Sequence, residues 1–269
     1  MSDSGFTLEE LINAVQSSKK YSQINSDLLA RIAAIEFPKY KDLKTAIKQT
    51  RTKIHRLTSA FQSETNNYAQ LINDYRVIPK FDEVKRLSFL KRLMRSHAST
   101  RERLPFVEDF FQVTLSRIAP VGSVLDLACG LNPLAIPFMP LSPGFSYWAC
   151  DVVEPEIDFL KAWFKEEEIE GKAFVCDLLG QIPDFNAQLC LVMKTLPILD
   201  QIDAGFSSRL LQSLNCEHIL ITYPTKSLSG RGKGMQQTYS EHFNKLTADQ
   251  PFSIQRFDFP NEIAYLLSK

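Results

Sequence analysis

Three acids stand where an α/β sheet does its chemistry. Asp126, Asp151 and Asp177 each lie at the end of a short apolar run: Val124-Leu125-Asp126-Leu127, Phe145 to Asp151, and Ala173 to Asp177. The first run continues into Ala128-Cys129-Gly130-Leu131-Asn132-Pro133, where bulky residues give way to small ones. A strand, a small-residue turn and a helix start (Asn132 as N-cap, Pro133 at N1) make the ligand-holding elbow of a doubly wound sheet. Ligands of such sheets bind outside the carboxyl ends of the strands. Asp151 follows Gly130 by about 20 residues, the spacing at which a carboxylate accepts both hydroxyls of a ribose. Asp177, at the third strand end, is placed to face an adenine amino group.

The elbow also narrows the choice of cofactor. A nicotinamide dinucleotide needs a glycine-lined turn so that its pyrophosphate can touch backbone. Only one glycine is present here, which suits S-adenosylmethionine: it carries a ribose but no phosphate. Its carboxylate can be met by Arg101 or Arg103 of Ser99-Thr100-Arg101-Glu102-Arg103-Leu104-Pro105. Structurally, the same run offers a Ser99–Glu102 capping box and a proline-opened helix ending near Ile118.

The fourth strand ends Met193-Lys194-Thr195-Leu196-Pro197, without the Asn/Asp-Pro-Pro-aromatic motif of exocyclic-amine methylation. No Pro-Cys pair supplies a nucleophile for pyrimidine C5 chemistry. Transfer to an atom that already presents a lone pair is left. Pro224 to Met235 contains three glycines and three cations, and it forms a basic loop for an anionic substrate.

Elements of two kinds must position these groups. Up to residue 120 the apolar spacing is helical throughout. Thr7 and Glu10 form a capping box before Leu8, Leu11, Ile12 and Val15. A second helix starts at Ser26-Asp27 and stops at Pro38. A third, over Lys41 to Phe61, sets Lys44, Lys48, Arg51 and His55 on one face with no interleaved acid, a surface for phosphate contact. A further basic helix covers Asp82 to Arg95. Beyond Val121 the pattern becomes strands separated by helix-sized segments: Val124 to Leu127, Phe145 to Asp151, Ala173 to Asp177, Leu189 to Lys194 and His218 to Pro224. That alternation specifies a parallel α/β sheet, closed by an antiparallel pair over Ser253 to Phe259 and Ile263 to Leu267. The expected organisation is an all-α N-terminal domain over 1–98 and a Rossmann-like α/β domain over 99–269.

Charge divides the same way. Net charge is zero, yet residues 1–103 hold 19 Lys+Arg against 11 Asp+Glu, and the rest hold 12 against 20. A polyanion therefore meets the N-terminal half first. The hydrophobic fraction of 44% and charged fraction of 23% are those of a globular protein. No apolar run reaches the roughly 20 residues that span a bilayer, so no membrane partner is expected. The polar N-terminus is no secretory signal. Five cysteines without a CxxC pair or Cys/His zinc spacing imply reduced thiols, a cytoplasmic protein and no metal.

Together, Ser99 to Arg103, Asp126 to Pro133, Lys194-Thr195-Leu196-Pro197 and Pro224-Thr225-Lys226-Ser227-Leu228 closely resemble the aminoglycoside-resistance 16S rRNA (guanine-N7) methyltransferases of the Arm/Rmt type. The resemblance spans most of the chain. It implies methyl transfer from S-adenosylmethionine to a guanine N7 in the decoding A site of the 30S subunit, and hence antibiotic resistance. By motif, Arg101 would bind the methionine carboxylate, and Ala128 and Gly130 would line the methionine. Asp151 would hold the ribose, Val152 and Leu178 would sandwich the adenine, and Asp177 would bond its amino group. Arg231 and Met235 would hold the target base, with Lys194 where cofactor and guanine meet. Lys44, Lys48, Arg51 and His55 would touch rRNA, and the protein would act as a monomer.

Two rivals remain at this level. An S-adenosylmethionine-dependent enzyme of another RNA site or of a small molecule explains the elbow. A non-catalytic ribosome-assembly factor explains the basic half.

Overall fold

A computed structural model describes residues 5–58, 66–225, 234–248 and 250–269. Among the described residues, seven α-helices precede the first strand: α1 (Leu8–Gln16), α2 (Ser26–Glu36), α3 (Leu43–Thr58), α4 (Tyr68–Arg76), α5 (Glu83–Met94), α6 (Ala98–Arg103) and α7 (Val107–Leu115). The expected caps set the first helix: the Thr7 hydroxyl accepts from the Glu10 amide at 3.1 Å, and the Glu10 carboxylate accepts from the Thr7 amide at 2.7 Å. Asn25, one residue before the expected start, caps α2 by accepting from the Leu28 amide, and Asp82 caps α5 by accepting from Lys85. The described part of α3 runs from Leu43 to Thr58, and residues 59–61 of the expected helix lie outside the described residues.

The α/β half then follows as β1 (Val121–Leu127), β2 (Leu141–Asp151), α8 (Glu154–Glu166), β3 (Glu170–Val175), β4 (Ala187–Met193), α9 (Leu196–Asp200), α10 (Phe206–Ser213), β5 (Cys216–Pro224), α11 (Met235–Thr247), β6 (Ser253–Asp258) and β7 (Glu262–Ser268). The sheet order is β3-β2-β1-β4-β5-β7-β6. β1 through β5 run parallel, and β7 inserts antiparallel between β5 and β6. β1 is central because the chain winds outward from it in both directions, to β2 and β3 on one side and β4 and β5 on the other. That reversal opens a crevice at the carboxyl ends.

Alternate residues of the strands feed opposite faces. Val124, Tyr147, Leu191 and Leu220 pack with Phe110, Trp163 and Phe164 of α7 and α8. Leu125, Cys190, Ile219 and Tyr265 pack with Leu210 and Phe243 of α10 and α11. Tyr75 of α4 and Phe89 and Leu93 of α5 belong to the first of these clusters, so those helices are seated on the sheet layer. α1, α2 and α3 have a core of their own, built from Leu11, Val15, Leu29, Ile32, Ala46 and Ile54, to which Val153 adds.

Several local expectations are corrected. Asn132 does not cap an α-helix: residues Asn132–Phe138 form a 3-10 helix that starts from Leu131 and contains Pro137. Proline inside the segment has no N–H for an α-type bond, and the Asn132 side chain is needed elsewhere, beside Asp126. Ser99 and Glu102 form no capping box; Ser99 lies inside α6, His97 takes the cap position, and Glu102 turns to Lys194. Pro105 sits in a 3-10 turn ahead of α7, which ends at Leu115 rather than near Ile118. Asp126 lies within β1 and is fully buried, so it is not an acid of the strand-end crevice.

Candidate cofactor site and its surroundings

The crevice is a cavity where the ends of β1 to β4 meet α2 and α3. Ala128, Asp151, Val152, Asp177, Leu178 and Thr195 line it from the sheet side, and Leu28, Leu57 and Thr58 line it from the helical side. Sequence reasoning assigned five of the sheet-side residues and none of the helical ones. A wall contributed from another part of the fold leaves no local pattern.

Backbone geometry makes the room. Ala128 has φ +51° and Gly130 φ +48°, so the turn after β1 is tight where it passes the cavity. A Cβ on Gly130 would lie 2.7 Å from His97 Nε2 and 2.9 Å from its Cε1. Only glycine fits between the elbow and that ring. His97 itself also lines the cavity. Burial, together with the positive charges of Arg103, Lys194 and Arg101, holds its imidazole down at about 3, which keeps the ring neutral at physiological pH. His97 directly precedes the Ser99–Arg103 run by two positions, and that adjacency was the available signal for it.

Asp151 is fixed by backbone donors on both sides. Its Oδ2 accepts from the Gly130 amide at 2.9 Å, and its Oδ1 accepts from Val152 at 2.7 Å and Val153 at 3.2 Å. Desolvation lifts its carboxyl pKa, and those three amides oppose the rise. Oδ1 has both lone pairs engaged and Oδ2 keeps one free, so the group remains an acceptor toward the cavity through Oδ2. Asp177 lies two residues beyond β3 and is buried; its Oδ1 accepts from the Leu179 amide at 3.0 Å and its Oδ2 from Arg31 Nε at 2.8 Å.

Behind the elbow runs a buried polar chain. Arg103 donates from Nε and Nη2 to the two oxygens of Glu262, at 2.7 and 2.9 Å, and from Nη1 to Asn132 Oδ1 at 3.1 Å. Asn132 in turn donates to Asp126 Oδ2 at 2.9 Å, and the Tyr147 hydroxyl donates to the same oxygen at 2.7 Å. Arg103 is therefore committed to the scaffold and does not serve a ligand carboxylate, which corrects one of the two candidates for that role. Burial pushes Asp126 up to about 7 against the two hydrogen bonds. Burial also raises Glu262, but Arg103 and Lys194 outweigh it and hold the carboxyl below its usual range.

The remaining candidates fall in three places. Arg101 is on α6 and exposed, outside the set of residues lining the cavity. Lys194, just past β4, has φ +59° and a buried side chain whose Nζ donates to Glu102 Oε2 at 2.7 Å. Its neighbours Met193 and Thr195 reach the cavity wall. Met235 opens α11 after Gly234 at φ +85°, and Arg231 lies outside the described residues.

Lys44, Lys48, Arg51 and His55 do share one face of α3, lining a shallow groove with Lys20 and Tyr21. They are not equivalent. Arg51 is half-buried, donates to the Ala14 carbonyl at 2.8 Å and stacks over Tyr21, whereas Lys44 and Lys48 are exposed. His55 Nδ1 is 3.1 Å from Lys20 Nζ, and burial and that cation lower its pKa.

A mostly parallel seven-stranded sheet, a near-glycine-free elbow and acids lining a crevice at the strand ends define the class of Rossmann-like S-adenosylmethionine-dependent methyltransferases. The chain belongs to the ribosomal RNA methyltransferase (FmrO) family, whose model matches residues 17–266. It is 34% identical over 266 residues, 97% of each chain, to a 16S rRNA (guanine(1405)-N(7))-methyltransferase of Micromonospora echinospora. The Serratia marcescens enzyme of the same name is 31% identical over 264 residues, covering 97% of this chain and 98% of its own. Among solved structures, the 16S rRNA methyltransferase RmtF in complex with S-adenosyl-L-homocysteine superposes with a TM-score of 0.83 at 30% identity, over 98% of this chain and all of the other. The 16S rRNA methylase RmtB superposes at 0.80 and 25% identity, over 98% of each.

Proposed function

We propose that the protein transfers a methyl group from S-adenosylmethionine to N7 of a guanine in the decoding A site of 16S rRNA in the 30S subunit, and so confers aminoglycoside resistance. The observation that carries this reading is the crevice at the ends of β1 to β3. Asp151, clamped by three backbone amides, and Asp177, paired with Arg31, bracket a space walled by Val152 and Leu178. The side chains fit the cofactor: a carboxylate oxygen free to accept from the ribose, two branched side chains for the faces of a purine and an acceptor for its amino group. The sulfonium supplies an electrophilic methyl when the cofactor is bound.

What the chain must do follows from the acceptor atom. Guanine N7 carries an in-plane lone pair and no proton, so no general base is needed. The residues have to extrude the base and hold N7 in line with the methyl carbon. Such alignment is worth roughly 7–11 kcal/mol in well-oriented systems. Met235 at the start of α11, Arg231 four positions earlier in sequence and Lys194 past β4 are assigned to holding the base. A neutral His97 suits this end of the site, because an imidazolium there would repel a sulfonium. Arg101 is assigned to the methionine carboxylate, and residues 1–98, with Lys44, Lys48, Arg51 and His55, to docking on rRNA. The methylated base is cationic, so it repels the ammonium groups of an incoming aminoglycoside.

The test is transfer of labelled methyl to 30S subunits and to free 16S rRNA, followed by borohydride–aniline scission. Label in the subunit and cleavage at one decoding-site guanine are expected. Label without scission moves the acceptor off N7, and no label with any RNA rejects the reading.

A further inference from the structure

α2 is joined to the ends of β2 and β3 at several points. The Asn25 amide donates to the Val152 carbonyl at 2.9 Å, the Glu154 amide donates to Gln23 O at 3.1 Å, and Ile24 bridges to Val153. Leu28, one turn into α2, lines the same cavity as Asp177 and Leu178. One turn further on, Arg31 Nε donates to Asp177 Oδ2 at 2.8 Å. Gly180 leaves space for the guanidinium: a Cβ there would stand 2.5 Å from Arg31 Nη2. Arg31 is 146 positions from Asp177 in sequence and belongs to the helical half that carries the basic face of α3.

We propose that Arg31 is a positioning residue of the cofactor site, which holds the Asp177 carboxylate in the orientation that selects a 6-amino purine. This rests on the reading of Asp177 as the adenine-facing acid. The chemistry is that of an acceptor-only group. A carboxylate with a fixed cation beside it and the Leu179 amide on its other oxygen offers lone pairs and no proton. It accepts from an exocyclic amine and repels a 6-oxo group. The adenosine pocket is thus composite. Its floor comes from the sheet and its roof and selectivity from the docking helices, so cofactor occupancy and the seating of α2 favour each other reciprocally.

The experiment is calorimetry on the full chain with S-adenosylhomocysteine and with S-inosylhomocysteine, its 6-oxo counterpart. Wild type is expected to bind the adenosyl ligand and to discriminate against the inosyl one. If wild type binds neither, the cofactor reading itself is wrong, a result distinct from failure of the Arg31 assignment. Arg31 is partly exposed, so Arg31→Ala is expected to weaken the adenosyl ligand by about two- to fivefold. The inosyl ligand should be much less affected, and Arg31→Lys should recover part of the loss. A purely structural role would lower both affinities equally, and that result, or no change in either, overturns the proposal. Should Arg31→Ala not fold, Arg31→Gln removes the same cation while keeping much of the side chain and must show the same ligand-selective loss. A second readout is amide exchange: the adenosyl ligand should slow exchange across 28–33 in wild type and fail to do so in Arg31→Ala.

Discussion

Replacing Glu262 by glutamine tests what holds the cofactor elbow in place. Glu262 and Arg103 are fully buried and joined by two hydrogen bonds of 2.7 and 2.9 Å. Glutamine keeps the size and one acceptor but leaves the guanidinium without a countercharge. Lys194 also acts on Glu262 electrostatically, so the variant removes a negative charge felt by two buried cations. Breaking one partner of a buried pair costs about 3–5 kcal/mol. The surviving Arg103–Asn132 bond and Lys194–Glu102 pair put the expected loss at about 3 kcal/mol, the lower end of that range. In urea the unfolding midpoint should fall by about 1–2 M. Because Arg103 and the Asn261–Glu102 hydrogen bond tie α6 to the start of β7, S-adenosylhomocysteine affinity should fall as well. Arg103→Met combined with Glu262→Leu removes both charges and should recover most of the stability, since the desolvation cost goes with them. An unfolding free energy of Glu262→Gln within about 0.5 kcal/mol of wild type would refute the reasoning.

Three other perturbations probe neighbouring features. Asp126 titrates near 7 when folded and near 3.9 when unfolded, so the folded state holds the extra proton and stability from this group declines as pH rises from about 4 to 7; denaturation of Asp126→Asn between pH 5 and 8 should lack that decline, and identical pH profiles would show that Asp126 does not titrate there. Gly130→Ala places a methyl 2.7 Å from His97 Nε2 at φ +48°; the backbone alone costs about 1–2 kcal/mol, and calorimetry should find cofactor binding greatly weakened, whereas unchanged affinity would mean the elbow is free to move. Lys44→Glu with Lys48→Glu, both exposed, should weaken 30S binding and lower the slope of log K against log salt by about one for each phosphate that is no longer neutralised; an unaltered slope would return that face to solvent.

How much of this was legible in the chain depended on the range of the interaction. The Thr7–Glu10 box, the proline stop after α2, the strands ending near Asp151 and Asp177 and the antiparallel closing pair all come from groups a few residues apart, where spacing and propensity act directly. The elbow was legible for the same reason: Ala128 and Gly130 are small because the turn is tight, and the acid at 151 follows from the strand pattern. Three misreadings arose where one residue had two uses. Asn132, Ser99 and Arg103 each matched a local role, as cap, cap and ligand-binding cation. The buried Asp126 and Glu262 decided two of these, because a desolvated carboxylate draws any donor within reach. Those acids are 6 and 159 positions away from their donors.

By itself, then, the amino-acid order determined the helical half, the parallel sheet, the strand-end acids and the basic face of α3, all set by periodicity and near neighbours. Only the tertiary structure decided that α2 and α3 roof the strand-end crevice, that Arg31 meets Asp177, and that Arg103 belongs to Glu262 and not to a ligand. The physical reason is that burial creates the demand. An ionised group out of water must find a partner wherever the fold brings one, and separation along the chain carries no trace of that choice.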